Sequence, residues 1–339
     1  MKIGVYSNAF REYPLEEALK RVQEAGIEMV ELGCGEESGF AHCNPEELLQ
    51  DQDKLKKFKD LFRQYNLQIS ALSCHGNPVS PNEAVRELSV NSMKNAVLLA
   101  EKLGLEQINC FSGCPGDCEE ATLSNWITVT WPMDYEKTYR WQWEEKLIPF
   151  WKEFVEFARF HGVKKIALEL HPGQCCYNPQ TLKRLRGICG EEIGVNLDFS
   201  HLLWQRMDPI LVIRELEGMI YNMHAKDLDI DSWKVKENGL INTAYFDEPQ
   251  KRSWNFRSVG YGHGSEFWKN IFAELHRVGY DYVASIEMEC EILSIPDALP
   301  RSVAFLKECI PGDRNPEEQS WQQKTREGRI RRFREYGLE

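Results

Sequence analysis

Four short stretches in the second half of the sequence decide the fold: IALEL (166–170), VNLD (195–198), NMHAKD (222–227) and SIEME (285–289). Each stretch is a run of mostly apolar residues that carries a side chain able to bind a metal ion at or near its carboxyl end. These side chains are Glu169, Asp198, His224 and Glu287. In a parallel barrel the carboxyl ends of all strands meet at one face, so four such strands would bring the four side chains to one cation.

Strand-like and helix-like stretches alternate along the whole 339-residue chain. Amphipathic stretches with apolar residues at three-to-four spacing separate the short apolar runs, which is the pattern of repeated βα units. Eight such units favour a single (β/α)₈ TIM barrel of the α/β class. An open doubly wound sheet would place a glycine-rich phosphate turn after the first strand, and SNAFREY (7–13) has no such turn. The predicted strands are 2–7, 29–33, 69–76, 107–113, 164–170, 193–198, 220–226 and 280–288.

Two long segments interrupt the barrel pattern, one after predicted strand four (114–141) and one after predicted strand seven (227–264). Both are too long to be simple connections. The barrel is predicted to occupy residues 1–310, and residues 311–339 are predicted to form a C-terminal extension. We expect this extension to contain a helix that wraps the barrel or contacts a partner protein.

Composition limits the classes of function. Hydrophobic residues make up 42% and charged residues 28% of the chain, and no apolar run is long enough to cross a bilayer. A net charge of −12 disfavours binding to nucleic-acid phosphates. The charged, leaderless start and the eleven cysteines predict reduced thiols in a cytoplasm. A structural zinc site is the alternative for the closely spaced cysteines Cys110, Cys114, Cys118, Cys175 and Cys176.

Carboxylates inside apolar strands need a compensating positive charge, because a buried unpaired charge costs several kcal/mol. A ligand set of oxygen and nitrogen atoms suits one divalent ion, with Mn²⁺ expected first and Mg²⁺ or Co²⁺ as alternatives. The other interpretation is that the carboxylates form salt bridges with Lys165, Lys226 or Arg257 at the barrel end.

The motifs also resemble a known family. ExHPG (169–173), NLDFSH (196–201), HAKD (224–227) and IEME (286–289) are similar to the signature strands of xylose-isomerase-like TIM barrels. That group includes sugar isomerases, keto-sugar 3-epimerases and inosose dehydratase-type lyases. The resemblance implies that Glu169, Asp198, His224 and Glu287 bind a catalytic metal and that the two glutamates also move protons. It further implies that His201 holds a substrate oxygen or supports the metal, and that Arg257 contacts a sugar oxygen.

Other residues are candidates for the site on position alone. His171 and His75 lie at predicted strand ends, and His263 lies on a loop expected to overhang the barrel mouth; each could instead be a hydrogen-bonded structural histidine. Lys226 follows His224 closely and either faces the substrate or only neutralises a carboxylate. Trp131, one of several tryptophans in the two insertions, could stack on a sugar or an aromatic aglycone, or could simply pack the insertion against the barrel.

The expected chemistry is removal of a proton from carbon next to a sugar carbonyl, through an enediolate. FSGCPG (111–116) and the tryptophan-rich segment after it are similar to the catalytic α subunit of C-glycoside deglycosidases, which implies a lyase acting on 3-oxo-glycosides with a small β-sandwich partner. A keto-sugar or sugar phosphate isomerase or 3-epimerase is the alternative. A non-catalytic sugar-binding barrel, a DNA-repair endonuclease and a scaffold for a partner are remote alternatives. A homo- or hetero-oligomer is expected.

Overall fold

In a computed structural model, which describes residues 1–312 and 321–336, eight parallel strands form a closed barrel. Each strand pairs with its neighbour in parallel, and pairing between the sixth and seventh strands completes the closed ring. The predicted TIM barrel is therefore confirmed. The barrel strands are β1 (Lys2–Tyr6), β2 (Met29–Gly33), β3 (Gln68–Ser73), β4 (Gln107–Cys110), β5 (Lys165–Glu169), β6 (Ile193–Asp198), β7 (Ile220–Ile230) and β9 (Val283–Ile286), and β8 (Trp254–Ser258) lies outside the barrel.

Helices surround the barrel and enclose its hydrophobic core. Many begin with an oxygen-bearing cap; Asn82, for example, accepts a hydrogen bond from the backbone nitrogen of Val85 at the start of the longest helix. The helices are α1 (Leu15–Glu24), α2 (Pro45–Gln50), α3 (Gln52–Gln64), α4 (Glu83–Leu103), α5 (Met133–Trp141), α6 (Ile148–Phe160), α7 (Pro179–Cys189), α8 (Phe199–Leu203), α9 (Pro209–Glu215), α10 (Ser232–Asn238), α11 (Ser265–Arg277), α12 (Ile295–Cys309) and α13 (Trp321–Glu335).

The strands separate apolar from polar side chains by alternation. In β5, Ile166 and Leu168 join the hydrophobic core, whereas Glu169 is buried outside that core. Successive residues of a strand point to opposite faces, so one face packs on the helices and the other fills the barrel interior. The same alternation applies to β6 and β7, and it directs their polar side chains into the barrel.

The second insertion contains more regular structure than the sequence suggested. β7 continues to Ile230, beyond its predicted end at residue 226, and pairs antiparallel with β8. This hairpin extends upward from the barrel mouth, with Lys226 opposite Ser258 and Ile230 opposite Trp254. The sequence analysis described 227–264 only as a long insertion and did not identify this strand. DLDI and WNFRS both alternate in polarity, which is a weak signal for a strand. Eight strands were already assigned to the barrel, so this pair was not predicted.

The first insertion returns to the barrel through a continuous helical segment. α5 leads through a π-helical turn, Gln142–Leu147, directly into α6. The helical segment therefore begins at Met133, inside the first insertion (114–141). Trp143 and Trp151 are fully buried and fix this segment against the core.

The C-terminal extension includes α13. Residues 313–320 and 337–339 of the extension lie outside the described residues, and the division of the chain at residue 310 stays a prediction. Within the described residues, every helix is too short or too polar to cross a bilayer.

Candidate active site

The four predicted metal ligands lie together at the mouth of the barrel. One ligand atom from each of Glu169, Asp198, His224 and Glu287 lies within 4.8 Å of the others. Three of the residues lie on β5, β6 and β7, and Glu287 follows β9 directly. Since β5, β6, β7 and β9 are consecutive around the barrel, the two glutamates occupy the ends of the arc. The strand-end argument from the sequence thus placed the four side chains in one group.

His224 has a defined orientation within this group. Its Nδ1 lies 3.0 Å from Glu287 Oε2 and 3.4 Å from Glu169 Oε2, and its Nε2 lies 2.9 Å from Glu31 Oε1. Nδ1 is therefore the ring nitrogen that faces the group, and Glu31 holds the other nitrogen. Burial opposes protonation of the imidazole, but the carboxylates of Glu31 and Glu287 outweigh burial and raise the pKa of His224 well above its usual value.

Glu31 is a fourth buried carboxylate of the barrel interior, and the sequence analysis missed it. Ser73 Oγ and Asn109 Nδ2 donate hydrogen bonds to its Oε1 at 2.6 and 2.9 Å, and Asn222 Nδ2 donates to its Oε2 at 3.1 Å. Burial would raise the pKa of Glu31, but the charge and hydrogen bond of His224, with these donors, lower it to about 2. The signal was present: MVELG (29–33) is an apolar run with one glutamate, as IALEL is.

Lys226 supplies positive charge to the same group. Its Nζ lies 2.9 Å from Asp198 Oδ2, 2.7 Å from Glu287 Oε2 and 3.0 Å from Glu289 Oε2. Burial would lower the pKa of Lys226, yet these carboxylates raise it well above its usual value, so the side chain stays an ammonium ion. The salt-bridge interpretation of the carboxylates therefore holds for Lys226. It does not hold for Lys165, which is exposed and packs over the ring of Tyr221.

The buried carboxylates of this site outnumber the two cations described above, Lys226 and His224 in its protonated form. Four carboxylates, those of Glu31, Glu169, Asp198 and Glu287, are at most one-eighth exposed. Asp198 Oδ2 and Glu287 Oε2 accept no well-directed hydrogen bond despite their burial. Divalent metals prefer oxygen and imidazole nitrogen ligands that lie this close together. A histidine that binds a metal also commonly has a carboxylate on its other ring nitrogen, as His224 has here. The residues present therefore fit a divalent cation.

Three more histidines lie against this group. His201 Nε2 lies 3.0 Å from Glu169 Oε1 and 3.2 Å from Asp198 Oδ2, and His75 Nε2 lies 3.3 Å from Glu169 Oε2. The ring of His171 packs edge-on against that of His201, with centroids 4.1 Å apart. Burial, with the positive charge of His201, lowers the pKa of His171 to about 3. His171 is therefore a neutral hydrogen-bonding group at neutral pH and a weak base.

A cavity of about 380 Å³ opens onto these side chains. Its wall includes Glu169, Glu287, Lys226, His75 and His171, so five predicted site residues are reachable from it. The cavity is large enough for a monosaccharide-sized ligand. Its wall also includes residues that the sequence analysis did not single out, such as Tyr6, Ser38, Asn77 and Phe111.

The other three predicted substrate-binding residues do not line this cavity. Arg257 pairs with Asp229 and Glu291. His263 Nδ1 lies 2.7 Å from Asp227 Oδ1. Trp131 is 80% exposed, on the first insertion. Arg257 and His263 are thus held by acidic residues of the chain itself. Contact of Arg257, His263 or Trp131 with a substrate stays a prediction.

The cysteines do not form a ligand group for zinc among residues 1–312 and 321–336. All eleven are free thiols, and the groups with metal-ligand spacing in this part of the chain contain only carboxylates and histidines. Cys118 is exposed, whereas Cys110, Cys114, Cys175 and Cys176 are buried. The prediction of reduced thiols therefore describes them better than the zinc alternative.

Fold and site together define a TIM barrel with a polar, carboxylate-rich mouth, and comparison with known proteins identifies its family. Residues 19–309 match the family model described as xylose isomerase-like TIM barrel, and the chain belongs to that family. Over 315 residues the chain is 37% identical to YfiH of Bacillus subtilis strain 168, covering 91% of this chain and 99% of that protein.

Two solved structures show the same fold at low sequence identity. The probable 3-DHS dehydratase AsbF of Bacillus anthracis is 18% identical, with a TM-score of 0.62 over 91% of this chain and 99% of its own. The D-psicose 3-epimerase of Clostridium cellulolyticum H10 is 16% identical, with a TM-score of 0.57 over 91% of this chain and 98% of its own. Both structures agree with the family model in showing the xylose isomerase-like TIM barrel that the motifs predicted.

Proposed function

We propose that this protein is a divalent-metal-dependent enzyme that removes a proton from the carbon next to a sugar carbonyl. The observation that carries the proposal is the approach of one ligand atom from each of Glu169, Asp198, His224 and Glu287 to within 4.8 Å. A divalent cation, Mn²⁺ by expectation, would stabilise negative charge that develops on the substrate oxygens. Membership of the xylose isomerase-like family supports the proposal.

The two glutamates are the proposed proton-transfer groups. Burial would raise the pKa of each, but His201, His75 and His224 lower that of Glu169, and Lys226 and His224 lower that of Glu287. Both are therefore ionised, as a base must be. One carboxylate takes the proton from carbon while the C–H electron pair moves toward the carbonyl oxygen. The other carboxylate, at the other end of the arc, takes up a proton from water and delivers it to the enediolate, which gives an epimer or an isomer. The first carboxylate then loses its proton to water, so that both are ionised again.

The specific reaction that we propose is a lyase reaction on a 3-oxo-glycoside. Loss of the C2 proton forms a C1=C2 double bond, the bond from C1 to the aglycone breaks, and the aglycone leaves with that electron pair and takes up a proton. Aromatic side chains of the second insertion support a substrate with an aglycone, because such rings can stack on it. The ring centre of Phe256 lies 5.4 Å from that of His201, and the ring centre of Trp254 lies 5.3 Å from that of Phe256. We include a small β-sandwich partner subunit and a cytoplasmic location in this proposal.

Isomerisation or 3-epimerisation of a keto-sugar is the second candidate. The position of the two glutamates at opposite ends of the arc favours it, because proton removal and return then come from different sides. The same enolate intermediate serves both reactions, and only a leaving group on the β carbon separates them.

Deuterium exchange tests the shared step. The chelated protein, with and without added Mn²⁺, is incubated in D₂O with D-fructose and with phenyl 3-oxo-glucoside, and products are followed by NMR. We expect metal-dependent exchange at the carbon next to a carbonyl. Release of phenol only from the 3-oxo compound establishes the lyase, whereas a C3 epimer of fructose establishes the epimerase. Full turnover without metal, or absence of exchange with every substrate, contradicts the proposal.

Matched variants locate the step in the site. Glu169→Gln and Glu287→Gln should keep the fold and lose exchange by at least a hundredfold, as expected when a positioned base is removed. Glu192→Gln is the control, because Glu192 lies at the opposite end of the barrel and pairs with Arg159. Equal exchange in all three variants would exclude the two glutamates from proton transfer.

A further inference from the structure

Arg252 is a buried arginine whose guanidinium has no anionic partner within the part of the chain that the structure describes. The residue is 5% exposed, and its Nη2 is buried without a hydrogen bond. Within residues 1–312 and 321–336, its guanidinium takes part in no hydrogen bond and no ion pair with another residue. A buried charge normally has hydrogen-bonding partners, because its removal from water is otherwise uncompensated. Arg252 is therefore suited to a partner from outside the chain.

Aromatic rings surround the guanidinium of Arg252. Its Cζ lies 3.7 Å from the ring centre of Phe246 and 4.3 Å from that of Trp254. Aromatic faces attract the cation but do not accept its N–H groups as oxygens do. A guanidinium packed in this way presents its N–H edge, which matches the paired oxygens of a carboxylate or a phosphate.

The carboxylates whose negative charge acts on Arg252 already have other partners. Glu289 and Glu291 are the acidic residues that act on it electrostatically. Glu289 accepts a hydrogen bond from Lys226 at 3.0 Å, and Glu291 pairs with Arg257. The chain therefore commits its own nearby anions to other cations.

Arg252 also faces the side of the hairpin that meets the candidate metal site. It precedes β8 in an extended conformation, with φ −82° and ψ 149°, so Arg252, Trp254 and Phe256 point to the same face of the strand. Lys226 Nζ lies 4.6 Å from the ring centre of Phe256 on that face. Four residues of strand separate Arg252 from Phe256 by roughly 13 Å. A ligand that reaches both ends must be elongated.

We propose that Arg252 binds the carboxylate or phosphate group of an anionic substrate whose carbonyl end lies at the candidate metal site. This inference rests on the proposed function in assigning the anion to the substrate. It narrows the substrate class to sugar derivatives that carry an oxyanion at the end remote from the reacting carbon. Phe246 is 67% exposed, so movement of one surface side chain would admit the anion to Arg252.

Binding of simple anions tests the site without any sugar. Inorganic phosphate and acetate are titrated into the metal-free protein by calorimetry, with wild type, Arg252→Gln and Arg140→Gln compared. Arg140 is an exposed arginine paired with Glu136 and is the matched control. We expect one of the two anions to bind wild type and the control equally, and to bind Arg252→Gln at least tenfold more weakly. Equal affinity in all three proteins overturns the inference, and the anion that binds distinguishes phosphate from carboxylate.

Sugar probes then test the link to the substrate. Metal-loaded protein is titrated with D-fructose, D-fructose 6-phosphate and D-fructuronate. We expect at least a tenfold preference for one anionic sugar in wild type, lost in Arg252→Gln with fructose affinity unchanged. Retention of the preference in Arg252→Gln overturns the inference. If Arg252→Gln fails to fold, Arg252→Lys serves instead, because it keeps the charge and loses the paired N–H edge; an undiminished preference in that variant also overturns the inference.

The two proposals fail in different ways. Absence of metal-dependent deuterium exchange contradicts the proposed function. Phosphate or acetate binding that depends on Arg252 would still support the anion site in that case. Normal deuterium exchange, together with anion binding that does not depend on Arg252, contradicts only the proposal of the anion site.

Discussion

Asp227 is the structural residue at which a single substitution should cost most. It is fully buried on β7, at the point where the hairpin leaves the barrel. Its Oδ2 accepts from three backbone nitrogens of the turn before α11 at 2.9 to 3.1 Å, and from an indole nitrogen at 3.1 Å. Its Oδ1 accepts from a backbone nitrogen at 2.8 Å and an imidazole nitrogen at 2.7 Å. The donors are Leu228, Gly260, Gly262, His263 (twice) and Trp268.

Asp227→Asn replaces one of these acceptor oxygens with an NH₂ group. The amide keeps most bonds if its oxygen takes the Oδ2 position, and its NH₂ then faces the two donors that bonded Oδ1. Each buried donor left without an acceptor costs about 1 to 3 kcal/mol, so the free energy of unfolding should fall by about 4 kcal/mol. That is a large part of the total of roughly 5 to 15 kcal/mol for a typical protein.

Urea denaturation measures this loss, with tryptophan fluorescence and far-ultraviolet circular dichroism as two probes of one transition. Asp229→Asn is the matched control, two residues along the same strand. Asp229 is 53% exposed and makes one ion pair with Arg257, so its replacement should cost about 0.5 kcal/mol. If Asp227→Asn lowers the free energy of unfolding no more than the control does, the six hydrogen bonds do not hold the hairpin as inferred.

Three further predictions concern single residues. Glu31→Gln should weaken Mn²⁺ binding about 10- to 100-fold in calorimetry, because it removes the carboxylate behind His224; unchanged affinity would contradict that support. Gly262→Ala should lower stability in thermal denaturation by roughly 1 to 3 kcal/mol, since its Cβ would lie 2.2 Å from the carbonyl oxygen of Leu228; a wild-type melting temperature would refute this. Hydrogen bonds from two arginines lower the pKa of Glu274, so its contribution to stability is present above its unfolded pKa of about 4.3 and is lost as pH falls through the lower folded value. Glu274→Gln should therefore flatten the acid limb of the stability profile, and an unchanged slope would count against it.

The fold and the grouping of the four candidate ligands could be predicted because both depend on local patterns. An apolar run fixes a strand, and the carboxyl end of a barrel strand fixes the position of one side chain, so Glu169 and Asp198 could be placed without knowledge of any contact. Glu31 lies in a similar apolar run, but none of the motifs that resemble the family includes it. Its role became visible only through the distance to His224 across the barrel.

The hairpin and its residues could not be predicted in this way. The pairing of β7 with β8 joins residues that are 24 to 32 positions apart, and nothing in either stretch fixes its partner. Arg257 and Arg252 illustrate the limit: both precede the GYGHG turn closely, and the sequence favoured Arg257 for substrate. The structure pairs Arg257 with Asp229 and Glu291, whereas the guanidinium of Arg252 has no ion pair with any residue of 1–312 and 321–336. This difference depends entirely on tertiary contacts.

The continuity of β7 has a consequence for how the site selects its substrate. One strand carries His224 and Lys226 at the candidate metal site and then pairs with β8, which carries Phe256 and Arg252. A hydrogen-bonded ladder is stiffer than a loop, so the metal group and the residues of the hairpin hold a fixed spacing. Substrates should therefore be selected by length as well as by charge. Replacement of a loop in the first insertion would change access to the candidate metal site. A shifted register of the hairpin would instead change which molecule can reach both the candidate metal site and Arg252.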